Sequence, residues 1–246
     1  MKILLSNDDG YRAPGLGVMR AALQAIAEVV VVAPQTNCSG SSNALTLRRP
    51  IAVEQVEDAM YAVDGTPADC VHLAVNGMLD FEPDLVVSGI NNGENLGDDV
   101  MYSGTVAAAI EGRFLRLPAI AVSLAGAELK HFDTAARVVM DKLERMLSYP
   151  LAADCLLNIN VPDLPYDEIM GMEVTRCGNR NHSEPIIPEH GASGVAYRIG
   201  PPGVSADDGE GTDFHAVRNH RVSVTPISID MTHRDRMGEL SRWLQQ

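Results

Sequence analysis

The chain has 246 residues, 19 of them basic and 33 acidic, for a formal net charge of −14. That length can bury a full hydrophobic core, and in an α/β chain it fits one domain rather than two. The acidic balance argues against a nucleic-acid polymer as partner, because the phosphate backbone is bound chiefly by Lys and Arg, but it leaves room for a small phosphorylated molecule if a metal ion supplies positive charge locally.

The chain opens with a short apolar run over residues 2–6, followed by the polar group Asn7, Asp8, Asp9 and Gly10. Residues 15–28 read as a helix, with Leu16, Met19, Leu23 and Ile26 at helical spacing. The run at 29–34 is β-branched almost throughout, as expected of a strand covered on both faces. Residues 45–56 alternate and contain Pro50, which suggests an edge or a hairpin arm. Thr66, Pro67 and Asp69 form a helix start signal: cap, first-turn proline and an acid three residues after the cap.

Residues 84–90, 119–125 and 155–161 are three more strand candidates, with helices expected at 103–115 and 133–147. Strand alternating with helix implies right-handed crossovers and a mostly parallel sheet covered on both faces. Beyond residue 165 glycine and proline become frequent and strand-like pieces shorten. This reads as a smaller β-rich extension, 166–246, closed by a terminal helix that Thr232 would cap.

In open parallel sheets, ligands bind outside the carboxyl ends of the strands. Three polar loops should leave that edge, carrying Asp8 and Asp9, then Ser39, then Asn91 and Asn92. Two carboxylates, a hydroxyl and an amide oxygen form an all-oxygen set suited to a hard cation such as Mg²⁺, Mn²⁺ or Ca²⁺. Ser103, Gly104 and Thr105 open a helix, where free N–H groups and the dipole favour a phosphate. A metal and an anion cradle on one rim suit phosphoryl transfer.

Each member also has a plain structural reading. Asn-Asp-Asp-Gly is a common solvated turn, and Ser-Gly-Thr is a common helix cap. Asp98 and Asp99 are candidate ligands or dipole partners of the helix that follows. Among the seven histidines no metal-binding spacing occurs, and His72 reads as a structural residue among apolar neighbours. Neither a Walker loop nor G-x-G-x-x-G is present, which excludes a P-loop NTPase and disfavours a nicotinamide-dependent oxidoreductase.

Cys38, Cys70, Cys155 and Cys177 form no C-x-x-C pair and read as reduced thiols. With no basic and apolar leader, and no apolar stretch near the ~18 residues of a membrane span, the expectation is a cytoplasmic protein with no membrane partner.

The motifs SNDDG, VVAP followed by N-x-SG-x-SN, GTPADCV, the long run from VVSGIN through NLGDD to YSGTVAAA and EGR, NINVPDLP, TRCG and GTDF resemble the SurE family of stationary-phase survival proteins. The resemblance implies a Rossmann-like three-layer fold with a C-terminal extension used in subunit exchange, giving a homodimer or homotetramer. It also implies a phosphatase that uses one divalent cation per subunit, Mg²⁺ or Mn²⁺, to hydrolyse nucleoside 5′- and 3′-monophosphates and, in some members, short polyphosphate. Carried over by motif, Asp8, Asp9, Ser39 and Asn91 would hold the metal, with Asp8 or Asp9 catalytic, and Asn43, Asn95, Ser103, Gly104 and Thr105 would surround the phosphate. Asn7 has no ligand role in this pattern and is expected to shape the turn. A nucleotide-binding regulatory module without turnover is the alternative reading.

Overall fold

The apolar runs form the middle of one nine-stranded sheet in the computed structural model, which describes residues 1–149, 151, 155–191, 194–200 and 202–245. The first half contributes β1 (Lys2–Ser6), α1 (Pro14–Leu23), β2 (Glu28–Pro34), β3 (Val53–Glu57), β4 (Met60–Val63) and α2 (Pro67–Leu73). Next come β5 (Leu85–Asn92), α3 (Gly104–Glu111), β6 (Ile120–Ala125), α4 (Phe132–Ser148) and β7 (Leu156–Pro162). The sheet runs β3-β4-β2-β1-β5-β6-β7 and is then extended by two strands of the C-terminal region. Strands β4, β2, β1, β5, β6 and β7 are mutually parallel, while β3 pairs antiparallel at the edge, where the Pro50 signal placed it.

Alternation along the strands divides the core into two layers. Val29 and Val31 pack with Leu16, Met19, Leu23, Val138 and Val139 of α1 and α4. Val30 and Val32 face the other way, toward Cys70 and Val71 of α2 and Val106 and Ala109 of α3. The outcome is the expected mostly parallel α/β sandwich with helices on both faces.

Several local expectations are corrected. Helix α1 stops at Leu23, so Ile26, read as part of its apolar stripe, is 45% exposed where the chain turns toward β2. His72 is not a core residue. It lies past the buried stretch of α2 and meets the Glu111 carboxylate through Nδ1 at 3.1 Å in solvent. Thr232 caps nothing: its N–H donates to Asp230, which also binds Arg234. A short 3₁₀ turn at Arg234–Arg236 therefore intervenes, and Arg236 holds the cap position of the last helix.

Past residue 165 the chain forms β8 (Met172–Val174), β9 (Asn179–Arg180), β10 (Ile187–Gly191), β11 (Gly194–Arg198), β12 (Ser205–Asp207), α5 (Asp213–Arg218), β13 (Val222–Ile227) and α6 (Met237–Trp243). Strand β13 adds antiparallel to β7 and β8 adds parallel to β13, so part of this region completes the main sheet. The hairpin β10–β11 and α6 are solvent-exposed along their described length.

One glycine, Gly15, lets α1 and β5 approach. A Cβ on Gly15 would lie 2.1 Å from the Ile90 carbonyl oxygen, whereas one on Gly17 would meet nothing within 4 Å. Gly15→Ala is therefore expected to destabilise by about 1–3 kcal/mol through overpacking. Gly17→Ala should stabilise by roughly 0.5–1 kcal/mol through helix propensity. Urea unfolding midpoints of the two variants check this opposite sign.

Candidate functional site

Chain order and spatial order part company at β1. From β1 the chain moves outward to β2 and β4, then returns to place β5 on the opposite flank of β1. Connections leave in opposite directions there, opening a crevice beyond the carboxyl ends of β1 and β5. Asp8 and Asp9 follow β1, and Asn91 and Asn92 end β5.

Asn7 makes the turn, as expected. Its Nδ2 donates to the Gly10 carbonyl at 2.9 Å, and Gly10 adopts φ +101°, a region that favours glycine. Asp8 then points to one face of the sheet and Asp9 stays on the rim.

Asp8 is 3% exposed and lies against the amino end of α3. Its Oδ1 accepts the Thr105 hydroxyl at 2.5 Å, and backbone N–H groups of Gly104 and Thr105 also favour the carboxylate. Gly104 is small for this reason: a Cβ there would sit 2.7 Å from the Asp8 Cβ. Burial nonetheless pushes Asp8 above its ordinary value, against the pull of those donors.

Asp9 bridges the crevice. Its Oδ2 accepts the Asn92 backbone N–H at 2.9 Å, and its Oδ1 accepts the Asn37 amide at 3.2 Å. Burial raises this carboxyl too, and the neighbouring Asp8 adds to the shift.

A bulge between Ser88 and Asn91 sets the end of β5. Gly89 supplies it at φ +130°, where a Cβ would fall 2.2 Å from the Val122 carbonyl oxygen. Asn91 is nearly buried and donates from Nδ2 to the Gly93 carbonyl at 2.8 Å, leaving its Oδ1 as the spare acceptor. Ser39 is exposed on the second loop, which Cys38 ties to β1 by donating its N–H to the Asp8 carbonyl at 2.7 Å.

The predicted phosphate residues divide. Ser103 caps α3 by accepting from the Val106 N–H, and Thr105 is engaged with Asp8, so the Ser-Gly-Thr turn serves the aspartate directly. Asn95 is turned into the sheet: its Nδ2 donates to Ser123, and its backbone is held by Asn158 and Asn160. Asn43 is exposed and, with Ser42, lines a groove of about 820 Å³. Asp98 and Asp99 lie in the first turn of a short 3₁₀ segment, Gly97–Met101, as acidic dipole partners would, and both carboxylates are engaged: Asp98 accepts the Arg180 backbone N–H, and Asp99 accepts its guanidinium at 2.7 Å.

Ser41 and Asn37 were not singled out from the sequence. The Ser41 hydroxyl is buried beside Gly104 and Asp8 with no hydrogen-bond partner among the described residues, and the Asn7 Oδ1 is likewise unpaired. Their shared loop, NCSGSSN, was the available signal, but serines there look alike until the loop is folded. Among the described residues no three His, Cys, Asp or Glu side chains gather at one point. A cation here would rest on two carboxylates and neutral oxygens. The donor chemistry and the unpaired buried oxygens fit a hard divalent ion.

The fold and the rim define an α/β protein with a carboxylate-bearing crevice at a topological switch point. A family model described as Survival protein SurE matches residues 3–184. Two proteins named 5′-nucleotidase SurE are similar over nearly the whole chain. The one from Methylococcus capsulatus is 55% identical over 99% of this chain and 98% of its own, and that from Nitrosomonas eutropha is 53% identical over 99% of each. The crystal structure of the Sure protein from Aquifex aeolicus superposes with a TM-score of 0.87 at 42% identity, over all of both chains. The chain belongs to the SurE family. Among the described residues no helix is long and apolar enough to cross a membrane.

Raised carboxyls imply a sign. Without a cation, ionising Asp9 opposes folding, so stability is lost as pH rises from its ordinary 3.8 through the raised folded value. Metal-free Asp9→Asn protein is expected to melt above wild type near neutral pH, with the gap closing in acid. Thermal melts in EDTA across that range check it.

Proposed function

We propose that the protein is a phosphoric monoester hydrolase that uses a divalent cation, Mg²⁺ or Mn²⁺, to release phosphate from nucleoside 5′- and 3′-monophosphates. The observation that carries this reading is the pair Asp8 and Asp9, held apart by different partners at the switch point, with burial raising both. Two adjacent carboxylates kept from water favour a bound cation over two bound protons once the ion is available. The names of the relatives support nucleoside monophosphates as the substrate class.

Uncatalysed phosphate-monoester hydrolysis is slow enough that enzymes accelerate it by up to ~10²¹, or about 28 kcal/mol. When bound, the cation supplies Lewis-acid charge and makes water a better nucleophile, a contribution of several kcal/mol. The chain must supply the remainder by positioning and charge stabilisation.

Thr105 and the amino end of α3 hold Asp8 in one orientation, which suits an anchoring ligand. Asp9 keeps a more open oxygen, since its contact to Asn37 is long at 3.2 Å and exposed. Asp9 is therefore assigned to orient the attacking water and take its proton. Ser39 and Asn91 complete the oxygen set. Ser41, Asn43 and the Ser103 hydroxyl keep donor capacity to meet the phosphate and the nucleoside, because Asn95 and Thr105 donate within the fold whereas Ser103 only accepts, from the Val106 N–H. Short polyphosphate is a weaker substrate in this reading, because Glu94 adds acidic charge to the loop after β5. The protein acts in the cytoplasm as a homodimer or homotetramer, with the exposed hairpin β10–β11 and α6 as the contact elements.

Phosphate release from AMP should require Mg²⁺ or Mn²⁺ and stop with EDTA. Asp9→Asn should lower kcat by ~10²–10⁴-fold, the range for a positioned general base. Asp8→Asn should abolish the metal dependence together with the activity. Equal metal-dependent turnover in wild type and both variants would remove the assignment, and turnover unaffected by EDTA would remove the metal.

A further inference from the structure

The loop from Asn37 to Thr46 carries Ser39, Ser41 and Asn43 but contains no regular secondary structure over that length. Something outside it must fix its path. At its near end Cys38 donates its backbone N–H to the Asp8 carbonyl, and Asn37 receives the Ser39 N–H at 2.8 Å. Midway, Ser42 is bound to the carbonyls of Tyr102 and Met101.

Its far end is held by the first turn of α2. The Asp69 carboxylate accepts the Thr46 N–H at 2.8 Å on Oδ1 and the Thr46 hydroxyl at 2.6 Å on Oδ2. The same Oδ2 accepts the Thr66 N–H at 2.9 Å, closing the capping box, while the Thr66 hydroxyl donates to the Ala44 carbonyl at 2.7 Å. Gly65 makes room, since a Cβ there would lie 2.8 Å from Oδ2.

Asp69 is 2% exposed and has no basic side chain in contact among the described residues. A buried carboxylate without a cation is costly, and a neutral cap would close the helix end as well. An asparagine has acceptor capacity on only one of its two terminal atoms, so it would put an NH₂ donor against the Thr46 N–H, or against the Thr46 hydroxyl and the Thr66 N–H, and lose part of this junction. Burial acts to raise Asp69, but the hydrogen bonds from Thr46 and Thr66 hold it below its ordinary value, which favours the ionised form in which both oxygens accept.

We propose that Asp69 is a positioning residue for the site: through Thr46 it fixes the loop bearing Ser39, Ser41 and Asn43, and so sets the affinity for the divalent cation and the phosphate monoester. The proposal rests on the metal-dependent phosphatase reading above. It separates two roles of one side chain. Capping acts on the stability of α2, whereas the Thr46 contacts act on the loop.

The test uses the full-length protein and three variants, Asp69→Asn, Thr46→Val and Thr46→Ser. Mn²⁺ binding to the resting protein is read from the electron paramagnetic resonance signal of free Mn²⁺, alongside KM for AMP and the unfolding midpoint. Thr46→Val leaves α2 and its cap intact, so it stands if Asp69→Asn fails to fold. Both variants are expected to bind Mn²⁺ ~10–100-fold more weakly, the range for outer-shell partners of metal ligands, and to raise KM for AMP. Thr46→Ser should restore wild-type values. If Thr46→Val binds Mn²⁺ and AMP like wild type, and Asp69→Asn only melts earlier, Asp69 is a helix cap and the proposal fails while the phosphatase reading stands. A wild type that neither binds Mn²⁺ nor hydrolyses AMP removes both.

Discussion

Much of the site depends on one contact, the Asp8 carboxylate seated against the amino end of α3. A carboxylate that is 3% exposed would be driven to hold its proton by burial alone. The Thr105 hydroxyl and the N–H groups of Gly104 and Thr105 oppose that drive. A charge-assisted hydrogen bond of this kind contributes roughly 1.5–3 kcal/mol. It also explains why the helix begins with Gly-Thr: the glycine admits the aspartate, and the threonine binds it. The position of α3 and the orientation of Asp8 are therefore one property of the fold.

Asp9 extends the same logic across the crevice. Its bond to the Asn92 N–H joins the ends of β1 and β5, the two strands between which the chain reverses direction across the sheet. Neighbouring carboxylates with different partners have different freedom: Asp8 is fixed and Asp9 is more open. The bulge at Gly89 belongs to this arrangement, because it shifts the β5–β6 register just before Asn92, whose amide Asp9 binds. The C-terminal region reaches the site by another route. Buried Asp213 of α5 accepts the Gly97 N–H at 2.7 Å and the Gly178 N–H at 2.9 Å, tying the loop after β5 to the far end of the chain.

The fold was legible where burial pattern and helix signals coincide. The valines of β2 alternate between the two core layers, as a β-branched run covered on both faces must. The Thr66-Pro67-Asp69 signal formed a full capping box. Ile26 and Thr232 misled because spacing continues past the point where a helix can. At Leu23 the chain must turn to enter β2, and at Asp230 a nearby arginine captures the carboxylate. His72 misled because apolar sequence neighbours on a helix do not share its face.

For the site, the sequence by itself determined the chemical types at the rim: two carboxylates after β1, a serine loop after β2 and asparagines ending β5. These are local facts, set by which residues follow an apolar run. Only the tertiary structure decided which donors meet which acceptors. It assigned Thr105 to Asp8 and Asn37 to Asp9, turned Asn95 inward to Ser123, and left the buried Ser41 hydroxyl without a partner among the described residues. Those pairings join residues from distant parts of the chain, as Asp8 and Thr105 lie 97 positions apart. They exist because parallel strands bring distant loops to one edge, a geometry that no spacing within a single segment encodes.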